Sequence, residues 1–175
     1  MTCLPGDLRA RETLSAWLRG LRLYLGAMLL GHLLWESLQL PLYTIFSTGT
    51  LREKAFAVVH CTLGDLLIAL STLTLALIFA GSETWPRQRF WPVAVLTILF
   101  GLAYTVFSEW LNVVVRASWA YSEAMPVVPL FGLRIGAAPL LQWIAVPAVA
   151  FTIMRGLTRG EIHASAWPRD EALHR

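Results

Sequence analysis

The chain has 175 residues, 57% of them hydrophobic and only 14% charged, with a formal net charge of +3. Its mean hydropathy is +0.60, whereas a soluble domain carries about 25% charged residues. Disordered, collagen-like, disulfide-rich secreted and nucleic-acid-binding chains all fit this composition poorly. The fold class it indicates is an all-α, polytopic membrane protein.

In chain order, residues 1–20 read as a cytoplasmic amphipathic segment. Leu14, Trp17, Leu18 and Leu21 recur at i, i+3, i+4 and i+7, with most arginines on other faces. Asp7, after Pro5 and Gly6, is the expected N-cap. The pattern predicts an interfacial helix that feeds the first span. It is not a cleavable signal peptide, because the apolar region is too long and no A-x-A site follows it.

Residues 21–155 hold four apolar blocks, each near the roughly 20 residues that a span requires, and predict a four-transmembrane-helix bundle. The first runs from about Leu21 to Phe46, and Pro41 should end or kink its helix near Leu40. The others run from about Ala55 to Gly81, Pro92 to Val115, and Pro139 to Met154. Pro147, inside the last, frees a carbonyl that neighbouring groups must satisfy. Period-2 alternation is absent, which argues against a β-barrel. Residues 156–175 form a polar tail containing His163 and His174, to which no role is assigned.

Ten arginines flank one side: Arg9, Arg11, Arg19, Arg22, Arg87, Arg89, Arg155, Arg159, Arg169 and Arg175. The other side has only Arg52, Lys54, Arg116 and Arg134. The bias predicts cytoplasmic termini, in the inner membrane if the cell is bacterial. Trp17, Trp85 and Trp91 are expected in the inner aromatic belt, with Trp119, Tyr43 and Trp110 near the outer surface. Cys3 and Cys61 lie too far apart for a disulfide. The connection from Ala117 to Ala138 is apolar and stiffened by Pro126, Pro129 and Pro139. It reads either as an interfacial loop or as a lid over the polar residues below it.

Those polar residues carry the functional signal. His32, Glu36 and Gln39 lie in the first block, His60, Cys61 and Asp65 in the second, Glu109 and Asn112 in the third, and Gln142 in the fourth. An ionised side chain at the bilayer centre costs about 2.5–3.5 kcal/mol on insertion scales, so such residues are functional candidates by default. His32, Glu36, Gln39 and Tyr43 follow one helical face, and Thr105, Glu109, Asn112 and Arg116 repeat the spacing. Glu36, His60 and Glu109 all fall about 8–9 Å from the outer ends of their spans, at about 1.5 Å per residue. His32 and Asp65 lie about one turn deeper. The expectation is a polar layer in the outer half of the bilayer.

Plainer roles are available for each residue. Gln39, Asn112 and Gln142 can join helices by hydrogen bonds, and Glu109 can pair with Arg116. Cys61 can be a small buried hydrophobe. Gly26, Gly31, Gly64 and Gly101 suit close helix packing. Chemically, three uses compete. His32, Glu36, His60, Asp65 and Glu109 can serve as catalytic acids and bases on a lipid-soluble ligand. His32 and Glu36 with His60, Asp65 or Glu109 form a candidate zinc or iron set. His32 and His60 are candidate axial ligands for b-type haem. No cofactor is fixed by the residues alone.

The set resembles the emopamil-binding-protein family of sterol isomerases and their EXPERA-domain relatives. The resemblance rests on His32 and Glu36 in HLLWE, on Asp65, and on Gln142 and Trp143 followed by Pro147. It implies a small helical membrane isomerase that moves protons on a sterol- or isoprenoid-like ligand, with Gln39, Asn112, Gln142 and Trp143 lining the ligand site. The chain departs from that pattern in having His60 and Glu109 as further ionisable groups and in lacking an additional first span. The expected partners are membrane lipids, a hydrophobic small molecule and a homo- or hetero-oligomer, with no nucleic acid. A non-catalytic subunit of a larger membrane complex is the alternative.

Overall fold

A computed structural model of the chain describes residues 5–81, 85–130 and 132–165, with side chains over 13–81, 85–130 and 132–157. Helix α1 spans Pro5–Gln39. Proline suits a first helical turn, where its missing N–H costs nothing. The helix therefore begins two residues before Asp7, the expected N-cap, whose side chain lies outside the described residues. The amphipathic segment runs into the first apolar block as one unbroken helix. No proline stands between them to break it. Trp17 and Leu21 pack against the core, while Leu14 stays exposed.

Pro41 stops α1 as expected: it has no N–H to donate and disfavours the helical conformation at Leu40. The chain tightens into a 3-10 turn, Leu40–Leu42, followed by the single turn α2, Ile45–Thr48. Helix α3, Leu51–Ala80, starts four residues earlier than expected because Thr50 and Glu53 form a capping box. The Thr50 hydroxyl accepts from the Glu53 N–H, and the Glu53 carboxylate accepts from the Thr50 N–H at 2.7 Å. Gly81, at φ 62°, ends the helix by donating to Ile78 and Leu77.

Helix α4, Phe90–Glu109, widens into a π-helical segment, Trp110–Val115. Helix α5, Ala137–Ser165, runs through Pro147 and into the start of the polar tail. Between α4 and α5 the connection contains a hairpin. Strands β1, Val127–Leu130, and β2, Leu133–Gly136, pair antiparallel with Leu130 opposite Leu133. Gly132, at φ 78°, supplies the left-handed residue of the tight turn.

Helix α1 packs against α3 and α5, and α4 packs against the same two helices. Helices α3, α4 through Val115, and α5 are each long and apolar enough to cross a membrane. Their outward faces carry Leu67, Ile78, Phe79, Leu99 and Ile144, a surface suited to hydrocarbon. Inside, Gly20, Tyr24, Met28, His32 and Glu36 make an every-fourth-residue buried stripe on α1. Leu73 of α3 and Trp143, Phe151 and Met154 of α5 complete the same core.

Trp85 is 0% exposed and packs edge-on against Trp17, so it belongs to this core and not to a surface belt. Two of the four predicted packing glycines act as expected. A Cβ on Gly31 would stand 2.7 Å from Val146 Cγ1, and one on Gly101 would overlap the Trp143 ring. Gly26 and Gly64 have nothing within 4 Å and make no such approach.

Candidate functional site

The α1 stripe ends in His32, Glu36 and Gln39, all buried, and these meet Asp65 of α3 and Gln142 and Trp143 of α5. The Gln142 amide is the hub. Its Nε2 lies 2.8 Å from His32 Nδ1, 2.9 Å from Glu36 Oε1 and 3.0 Å from Asp65 Oδ2. His32 Nδ1 is also 3.2 Å from Asp65 Oδ2. Trp143 Nε1 donates to Asp65 Oδ1 at 3.3 Å, and the Trp143 ring lies 5.1 Å from the His32 ring. Gln39 Nε2 donates to Glu36 Oε1 at 2.7 Å and to Gln142 Oε1 at 3.2 Å.

Counting hydrogens tells what this geometry holds. A primary amide nitrogen has two hydrogens, yet Gln142 Nε2 faces three acceptor positions. Its two hydrogens suit the carboxylate oxygens of Glu36 and Asp65, and the His32 contact is then relieved when the ring hydrogen sits on Nδ1 and donates to Asp65. The close His32–Asp65 pair gives that proton a place to sit. His32 Nε2, by contrast, is buried with no hydrogen-bond partner among the described residues. A buried imidazole nitrogen left unpaired is costly and calls for an explanation. Here one ring nitrogen faces a carboxylate and an amide, and the other has no partner among the described residues.

Glu109 is buried at the C-terminal end of α4 and makes a separate contact. The Tyr121 hydroxyl donates to Glu109 Oε2 and accepts from the Gly136 N–H at 2.9 Å. Tyr121 also pairs with Tyr43 through an isolated bridge, with ring centroids 5.8 Å apart. Backbone bonds from Thr44 N–H to Ala120 and from Ser122 N–H to Leu42 fasten the α4–α5 connection onto the end of α1. Burial and the Glu109 carboxylate hold the Tyr43 and Tyr121 phenols above the ordinary tyrosine range, so both keep their protons. Glu109 thus pairs with Tyr121, and Arg116 is exposed. The Cys61 thiol is free and half-buried, within electrostatic reach of Glu36, Asp65 and Glu109.

His60 and Asn112 are not brought to the cluster. His60 is exposed and stacks on Phe56 at 5.4 Å. At about 100° per residue it points about 140° away from Asp65, so the two cannot share an inward face. Asn112 turns its amide back onto Ser108, donating to the carbonyl at 2.9 Å and to the hydroxyl at 3.2 Å. With His32 inside and His60 outside, the bis-histidine haem geometry does not form. Among the described residues no group of three or more His, Cys, Asp or Glu side chains is arranged to hold a metal ion.

Two contributors are not singled out by the sequence pattern. Trp35 Nε1 donates to Gln39 Oε1 at 3.1 Å, an i, i+4 pairing that helical spacing could have exposed. Tyr121 reaches Glu109 through a connection whose path no local signal dictates. No family model matches the chain, and no curated protein or solved structure matches it either.

Proposed function

We propose that α1 joins the three apolar helices in crossing the bilayer as a four-helix bundle, with both termini cytoplasmic. We further propose that His32, Glu36 and Asp65 bind a lipid-like ligand of sterol or isoprenoid type and move a proton on it. The observation that carries the proposal is His32: its Nδ1 is tied to Asp65 and Gln142, while its buried Nε2 has no partner among the described residues. An imidazole oriented by a carboxylate on one side and open on the other is the arrangement of a general acid or base.

In the reaction, a protonated group of the cluster adds its proton to one carbon of a ligand double bond. The electron pair of that bond forms the new C–H. The other carbon of the bond becomes cationic, a basic group removes a proton from the carbon on its far side, and the released C–H pair forms the shifted double bond. Protons balance, and no oxidant or reductant is needed. His32 Nε2 is assigned to the ligand, Glu36 and Asp65 to holding the exchanging proton, and Gln39, Gln142 and Trp143 to orientation. Within the emopamil-binding-protein resemblance this corresponds to isomerase chemistry.

The test is isotopic. Purified protein in vesicles made from a cellular lipid extract is incubated in D2O, and the lipids are analysed by mass spectrometry. A neutral lipid species should gain deuterium with the wild-type protein and not with Glu36→Gln. Absence of deuterium uptake with the wild-type protein overturns the proposal. Loss of assembly in Glu36→Gln, with lipids unlabelled by the wild type, would instead mark the cluster as a joint within a membrane complex.

A further inference from the structure

We propose that Trp35, a partly exposed residue outside the acid/base cluster, is the positioning residue that sets the direction of its amides. The catalytic meaning of this inference rests on the proposed function; the orientation itself does not. An indole N–H donates and never accepts, so the Trp35 contact at 3.1 Å requires Gln39 to present Oε1. Gln39 must then direct Nε2 at Glu36 Oε1 and Gln142 Oε1. Gln142, having accepted there, must direct its own Nε2 at His32, Glu36 and Asp65. One irreversible donor thus orients two reversible amides in series.

The consequence appears when the cluster holds a proton. Ionised carboxylates would by themselves attract the amide N–H groups. A protonated Glu36, however, could equally donate to an amide oxygen if either glutamine turned over. Amide oxygen and nitrogen are nearly equal in size, so packing alone does not forbid the turn. Trp35 forbids it, because turning Gln39 would set an NH2 against the indole N–H. Both carboxylates therefore keep facing N–H groups, and the proton is directed to the imidazole of His32, whose Nε2 has no partner among the described residues.

Trp35→Phe keeps the ring and removes only the donor, and Gln39→Met removes the relay without touching Trp35. The experiment is isotope-edited infrared spectroscopy of 13C-glutamate-labelled protein in lipid nanodiscs, with no ligand added. Both variants should retain wild-type helical content and gain a carboxylic-acid band that disappears when Glu36→Gln is added. The double variant should gain no more than either alone, as expected for two residues of one chain of contacts. A Trp35→Phe spectrum identical to wild type, or a change in Trp35→Phe that Gln39→Met does not share, overturns the inference. Where deuterium transfer is measured, Trp35→Phe should lose turnover with KM unchanged. Failure of the wild type to transfer deuterium removes the acid/base function, while the infrared outcome still decides the relay.

Discussion

Trp143 occupies the space that a side chain at position 101 would need: a Cβ on Gly101 would clash with the Cε3–Cζ3 edge of its indole ring. The same indole donates to Asp65 and lies beside His32. A helix-packing glycine on α4 thereby positions a residue of α5 that holds an acid on α3. Gly101→Ala should push Trp143 out of line and lengthen its bond to Asp65. Overpacking a core costs about 1–3 kcal/mol, against about 1 kcal/mol regained from helix propensity. The expected result is a lower unfolding temperature in detergent, altered tryptophan fluorescence and reduced deuterium transfer.

The two membrane histidines should separate cleanly. His32→Ala removes the imidazole, while Asp65 keeps Gln142 and Trp143 as donors and Gln142 keeps Glu36 and Gln39 as partners. Deuterium transfer should be abolished while the protein remains folded. His60→Ala removes an exposed ring stacked on Phe56, and exposed substitutions of this kind stay within about 0.5 kcal/mol. Transfer at wild-type rate in His60→Ala, with loss in His32→Ala, is the expected pattern in the labelling assay.

Tyr121→Phe deletes one hydroxyl that serves Glu109 and Gly136 at once. It leaves a buried carboxylate without its donor, at a cost of about 1–3 kcal/mol. Hydrogen exchange should read this directly: the Gly136 amide should lose protection, and the hairpin residues around it should follow. Exchange in the α1–α5 core should stay unchanged, because Tyr121 fastens only the connection. Uniform loss of protection through the molecule would show that Tyr121 supports the whole fold.

The proposed orientation predicts how single cysteines will label. With native Cys3 and Cys61 replaced, a cysteine at Ser47 or Ser118 should react with an impermeant thiol reagent added outside intact cells. A cysteine at Arg87 should react only after permeabilisation. The three positions lie on the sides that the arginine bias assigns. Labelling of Arg87→Cys from outside would reverse the assignment.

Much of the architecture is legible in the sequence because it depends on local properties. Apolar runs of sufficient length locate α3, α4 and α5. Pro41 ends α1 through its own missing N–H and ring, and Gly81 ends α3 through its freedom to adopt positive φ. The spacing of His32, Glu36 and Gln39 places them on one face of α1 whatever lies opposite. The capping box at Thr50 was equally local and readable.

Only the tertiary structure decides which faces meet. Depth along the chain places His60 beside Glu36, but the rotation of α3 turns His60 outward and brings Asp65 in. Glu109 has Arg116 two turns away, yet takes Tyr121 from a connection that folds back over it. Trp85 looks like an interfacial residue and is fully buried beside Trp17. Length and low charge point to a membrane because burial in hydrocarbon depends on composition. The partners of Glu36, Asp65 and Glu109 depend on packing between segments far apart in sequence, and only the folded chain brings each acid to its partners.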